Sequence, residues 1–222
     1  MNLHRVEGVA DWAKPGLSRL SKIQKVALKT NGVVTPGNLL SVAGGLMVAS
    51  GLVDIYRGDN TKRGVWKVGL GRTIDIIDGI VADKTGTKSP LGETVDATID
   101  KLAMAGIVSV FVKKDIISKS TAKHILAQNI ANIAITGVGR LNGAELHPSS
   151  AGKQAMLLQG MTLGFNSLAV VMEEDGEVYK ANQLKLMANI CEIGAAGKGL
   201  QATLGYLSEI TSLDSTLISR NE

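Results

Sequence analysis

Six mostly apolar stretches, each of a length that suits a bilayer-crossing helix, run along this chain at roughly 38–56, 65–83, 92–112, 123–141, 154–172 and 184–208. None is free of polar side chains, and even the apolar run from Ala155 to Met172 carries Gln159 and Asn166. Several are rich in Gly, Ala and Ser, the small residues that let helix backbones approach closely in lipid. The pattern predicts an all-α protein, a polytopic membrane domain of about six transmembrane helices over 35–222, with a separate N-terminal segment over 1–34. That segment interleaves Arg5, Lys14, Arg19, Lys22, Lys25 and Lys29 with Leu17, Leu20, Ile23, Val26 and Leu28. Such spacing suits a basic amphipathic juxtamembrane helix lying on an anionic leaflet. An ordinary surface helix satisfies it equally. No apolar run follows the first residues, which argues against a cleavable signal peptide. A soluble helical bundle is the competing architecture, because the mean hydropathy is only +0.16.

Charge inside a span is costly and gathers where function needs it. Here it gathers in the second and third stretches, as Asp75-Ile-Ile-Asp78-Gly79-Ile-Val-Ala82, followed by Gly92, Asp96 and Asp100. On a helix, Asp75, Asp78, Gly79 and Ala82 fall at i, i+3, i+4 and i+7 and share one face. Gly92, Asp96 and Asp100, at i, i+4 and i+8, do the same. A turn through Thr85-Gly86-Thr87-Lys88-Ser89-Pro90 then points the two faces at each other. Four clustered carboxylates repel one another unless a cation sits among them, and a hard divalent ion with oxygen ligands is the usual answer. A solvated acidic hairpin is the plainer alternative, but it gives no reason for glycines at fixed offsets from the aspartates.

This spacing resembles the signature of the CDP-alcohol phosphotransferases (CDP-alcohol phosphatidyltransferases), D-x-x-D-G-x-x-A-R-x8-G-x3-D-x3-D. Every fixed position is met except one, where Asp83 stands in place of the family's Arg. Thr35-Pro36-Gly37-Asn38-Leu39-Leu40-Ser41 is similar to the family's T-P-N-x-[LI]-[TS], with one extra residue after the proline. Gly152-Lys153 followed by Gln159 is similar to its G-K-x-K-T-x-x-Q segment. Asp96-Ala97-Thr98-Ile99-Asp100-Lys101 lies closer to the D-A-T-x-D-[RK] form of the phosphatidylinositol phosphate synthases than to the D-P-x-x-D-K of the phosphatidylglycerophosphate synthases.

The resemblance implies an enzyme that moves a phosphatidyl group from CDP-diacylglycerol to a polyol and releases CMP, in phospholipid biosynthesis. It tilts the acceptor toward a phosphorylated polyol, inositol phosphate or glycerol 3-phosphate. It implies Mg²⁺ or Mn²⁺ held by Asp75, Asp78, Asp96 and Asp100, with Asp100 as general base toward the acceptor hydroxyl. The nucleotide falls to Asn38, Asp78, Gly79, Ala82 and Gly92, and the acceptor phosphate to Arg140 and Lys153. It further implies a homodimer among the lipids of a bacterial cell membrane, and the positive-inside rule puts a basic N-terminus and the aspartates on the cytoplasmic side. Three alternatives stay open. Arg140 and Lys153 can simply snorkel to lipid phosphates, each glycine taken alone can serve helix packing, and Asp83 leaves room for an inactive member acting as a lipid-binding or assembly protein.

Composition removes competitors. Cys191 is the lone cysteine and lies in an apolar stretch, so there is neither a disulfide framework nor a thiolate metal site. His4, His124 and His147 show no ligand spacing, and no Walker loop, Rossmann fingerprint or nucleophile elbow is present. The pI near 9.1 would admit nucleic acid, but aromatic content is 3% and the bases concentrate at the N-terminus, which favours anionic lipid.

Overall fold

The computed structural model describes Thr30 and residues 35–85, 90–141 and 149–218. Among these residues the chain is helical, in the order α1 (Pro36–Arg57), α2 (Thr61–Thr85), α3 (Pro90–Lys113), α4 (Lys119–Leu141), α5 (Ser150–Glu174) and α6 (Val178–Ile218). Each of the six stretches read from the sequence lies within one of these helices, so the all-α expectation holds. The N-terminal segment over 1–34 lies outside the described residues apart from Thr30.

Short polar residues start the helices as capping chemistry requires. Thr35 caps α1, its hydroxyl accepting the Asn38 N–H at 3.1 Å, and Pro36 occupies the first turn, where a missing N–H costs nothing. Asn60 accepts the Arg63 N–H at 2.8 Å before α2, Ser118 the Thr121 N–H at 3.0 Å before α4, and Ser149 the Gly152 N–H at 3.0 Å before α5. Gly58 ends α1 in the left-handed region, with φ 77°, and its N–H returns to the carbonyls of Asp54 and Ile55.

The chain packs as two compact units, Met1–Val110 and Phe111–Glu222. In the first, α1 and α2 form an antiparallel hairpin along a glycine seam. A Cβ on Gly44 would stand 2.8 Å from the Gly71 carbonyl oxygen, and one on Gly71 would stand 2.7 Å from that of Gly44. Gly51 and Gly64 repeat the arrangement one heptad along, at 2.6 and 2.7 Å. Only glycine lets two backbones come this close. Lys67 Nζ closes the loop end of the hairpin on Asp54 Oδ2 at 2.7 Å and Ser50 Oγ at 2.9 Å. Helix α3 leans on α1 through smaller gaps of the same kind, where a Cβ on Gly45 would meet the Ile99 side chain at 2.9 Å and one on Gly106 would meet Leu52 at 3.1 Å.

In the second unit α5 and α6 pair, and α6 also contacts α4. Ala181, Ala188, Ala195 and Ala202 recur every seven residues along α6 and are all buried, which is the period of a helix–helix seam. The large side chains Leu186, Ile190, Ile193, Leu200 and Leu204 of the same helix are exposed. Small residues inside and large apolar ones outside invert the arrangement of a water-soluble bundle and match helices that face lipid. Two helices, Pro36–Arg57 and Ser150–Glu174, are long and apolar enough to cross a membrane by composition alone. Cys191 is buried, as a small core residue should be.

Candidate active site

The α1–α2 seam sets the register that builds the site. Because Gly44 faces Gly71, the N-terminal turns of α1 run beside the second half of α2, and Ser41 meets Asp78. Asp78 is 3% exposed, and its Oδ2 accepts a short hydrogen bond from the Ser41 hydroxyl. That hydroxyl also lies 3.2 Å from the Gly37 carbonyl oxygen. It carries one proton, and the closer carboxylate takes it.

Asp75, one turn earlier on α2, and Asp100 on α3 are joined by Arg72. Arg72 Nη1 lies 3.0 Å from Asp75 Oδ2, and Nη2 lies 2.6 Å from Asp100 Oδ1. All three side chains are partly buried, at 28% exposure for Arg72, 15% for Asp75 and 16% for Asp100. The contact to Asp100 is short but poorly aligned, for Asp100 Oδ1 is buried without a hydrogen bond of proper geometry. It is a charge contact that leaves lone pairs of that oxygen unused. One guanidinium therefore contacts carboxylates from two helices, and a third carboxylate accepts a hydrogen bond from a hydroxyl of α1.

Asp75 and Asp100 come together, and Asp78 is buried on the α1 side of α2. Gly79, Ala82, Asp83, Gly92, Asp96 and Arg140 lie on helices, but their side chains and surroundings fall outside what the structure describes. Among the described residues no three acidic, histidine or cysteine side chains converge enough to hold a metal ion. Carboxylate oxygens with an unsatisfied buried lone pair are nonetheless the donors that Mg²⁺ and Mn²⁺ prefer. Asn38 lies in the first turn of α1, with its backbone N–H capped by Thr35. Lys153 is exposed in the first turn of α5, just after the Ser149 cap.

Sequence reasoning missed two residues. Arg72 is the first; the signal was its place three residues before Asp75, an i,i+3 pairing on a helix. Ser41 is the second, named within the Thr35–Ser41 motif but given no partner. Gln159 turns out to be structural as well as part of a motif. Its Oε1 accepts from Asn129 Nδ2 at 3.1 Å and its Nε2 donates to Gln128 Oε1 at 2.8 Å, tying α4 to α5. The Gln128 amide in turn fills the space that a Cβ on Gly199 would need. Beside this relay, residues of α4, α5 and α6 line an open pocket of about 300 Å³, Glu192 and Thr162 among them.

Comparison with curated proteins and with solved structures finds no match. Comparison with protein families does: a family described as CDP-alcohol phosphatidyltransferase matches residues 34–192, well over half of the chain.

Proposed function

The chain belongs to the CDP-alcohol phosphatidyltransferase family, a family of phosphotransferases, and from that premise we propose that it transfers a phosphatidyl group from CDP-diacylglycerol to a phosphorylated polyol, with release of CMP. The observation that carries this reading is the joining of Asp75 and Asp100 through Arg72 across two helices. It supports a single charged centre where the motif requires one.

In this reading Asp75, Asp78, Asp96 and Asp100 would hold Mg²⁺ or Mn²⁺, which would supply positive charge to offset the donor's pyrophosphate and the charge of the departing CMP. Asp78 is held in place by the Ser41 hydroxyl, so its rotamer is set before substrate arrives. Asp100 takes the proton of the acceptor hydroxyl as that oxygen attacks the phosphatidyl phosphorus and CMP departs. Asn38, Asp78 and the small residues Gly79, Ala82 and Gly92 receive the nucleotide, since small side chains let its phosphates approach the helix backbones. Arg140 and Lys153 receive the acceptor's phosphate, Arg through a two-pronged contact and Lys as a point charge. The active protein is a homodimer in a bacterial cell membrane with the site on the cytoplasmic side.

The test is product analysis with purified protein, CDP-diacylglycerol and a panel of acceptors. Inositol phosphate or glycerol 3-phosphate should give a new phospholipid, and Arg140→Ala should raise the acceptor's KM at least tenfold with little change in CDP-lipid binding. Equal turnover of an unphosphorylated polyol would contradict the acceptor assignment. Asp83, a carboxylate where the family carries a cation, favours one rival, a member that binds the CDP-lipid without transferring it. That rival predicts CDP-lipid binding and no lipid product with any acceptor.

A further inference from the structure

On the reading that the aspartates hold a divalent ion, we propose that Arg72 is the resident counter-cation of the cluster, a positioning residue that keeps Asp75 and Asp100 together across α2 and α3 and yields Asp100 when the ion binds. Three observations converge on it. The guanidinium uses two different nitrogens for two different carboxylates, at 3.0 and 2.6 Å. A rigid planar fork of that kind fixes the separation of the carboxylates as well as neutralising them.

The second observation is the quality of the Asp100 contact. Arg72 Nη2 is close to Oδ1, yet that buried oxygen lacks an aligned hydrogen bond. Proximity without alignment neutralises charge while leaving the oxygen's lone pairs open to another cation, which is what an exchangeable counter-ion must do. The contact to Asp75 is the local one, on the same helix three residues away. Arg72 can keep Asp75 while it releases Asp100.

The third is the arrangement of charge along α2. The family motif places its arginine after the second aspartate, where this chain has Asp83. Arg72 precedes Asp83 by eleven residues, which on a continuous helix is about three turns and nearly the same side.

The sign of the consequence separates this role from a merely structural one. With no metal, removing the guanidinium takes away the cation that Asp75 and Asp100 share, and the protein loses stability. With metal, the same removal takes away a positive charge that repels the incoming ion, and affinity rises. A residue that served only to hold the helices would lose both together.

The experiment uses the full chain in detergent, as wild type, Arg72→Gln and Arg72→Lys, with Mn²⁺ binding read from the spectrum of the free ion and thermal unfolding read with chelator and at saturating Mn²⁺. Arg72→Gln should bind Mn²⁺ about tenfold tighter than wild type, melt lower in chelator, and close most of that gap when Mn²⁺ is saturating. Arg72→Lys keeps the charge but cannot span both carboxylates. It should bind Mn²⁺ within about threefold of wild type and still melt lower in chelator. Mn²⁺ affinity in Arg72→Gln equal to or weaker than wild type would overturn the exchange while leaving the metal reading intact. Arg72→Lys as stable as wild type in chelator would overturn the bridge. Absence of any Mn²⁺ binding to wild type would overturn the metal reading and the exchange with it.

Discussion

Ser41 shows how much of the site depends on a single hydroxyl. Asp78 is almost fully buried, and the Ser41 hydroxyl supplies a short hydrogen bond to it. A hydrogen bond to a charged group contributes about 2 kcal/mol, and leaving a buried carboxylate without it costs at least as much. Ser41→Ala should therefore lower the thermal midpoint by several degrees in chelator, and added Mn²⁺ should recover part of the loss if Asp78 joins the metal site. Unfolding scans of the two proteins side by side check this, and an unchanged midpoint in chelator would show that Asp78 finds its partner elsewhere. The aspartates were legible in the sequence because their spacing is a helical period. Their partners were not, for a physical reason: Ser41 and Asp78 are 37 positions apart, and only the register of two packed helices brings them together. Arg72 was within sight of the motif, and the need for a cation among the carboxylates was stated from the sequence. A side chain of the chain itself meets part of that need before any ion does.

Among the elements, the α1–α2 hairpin decides whether the site forms. Its seam is two reciprocal glycine pairs one heptad apart, Gly44 with Gly71 and Gly51 with Gly64. Adding even a Cβ at Gly64 puts it 2.5 Å from Ile55 Cγ1 and 2.7 Å from the Gly51 carbonyl oxygen, which is an overlap with backbone that no rotamer relieves. Gly64→Val should cost roughly 1–3 kcal/mol by overpacking and should lower transferase activity as well, because the displaced seam shifts Ser41 from Asp78. Gly197, with nothing within 4 Å of its would-be Cβ, is the control, and Gly197→Ala should leave both stability and activity near wild type. Thermal midpoints and turnover measured on the same preparations decide the matter, and equal tolerance of both substitutions would mean that the seam does not set the site. Gly, Ala and Ser enrichment foretold close packing in general. It did not identify the pairs, since many glycines here, such as Gly160 and Gly197, face open space. Helix positions were readable from apolar stretches bounded by capping residues, which is why each predicted stretch falls inside an observed helix.

At the scale of the whole molecule, burial speaks where hydropathy was ambiguous. A mean hydropathy of +0.16 left a soluble bundle open. Along α6, Ala181, Ala188, Ala195 and Ala202 are buried while Leu186, Ile190, Ile193, Leu200 and Leu204 are exposed, an arrangement that water would penalise and lipid accommodates. Together with two helices long and apolar enough to span a bilayer and a family of membrane enzymes, this identifies a membrane protein. Sequence gave the apolar stretches but not which side of each helix faces outward, because small and large apolar residues weigh alike in a hydropathy sum. On the proposed function, this membrane architecture carries aspartates that act through a divalent ion on a CDP-linked lipid. The most direct measurement is CMP release from CDP-diacylglycerol by the purified protein in detergent, with inositol phosphate or glycerol 3-phosphate as acceptor, in Mn²⁺ or Mg²⁺ and again with chelator. Wild type should release CMP only with the metal, and Asp75→Asn and Asp100→Asn should each lower the rate by about a hundredfold or more while remaining folded. CMP release that survives the chelator, or that survives loss of either aspartate, would contradict the account.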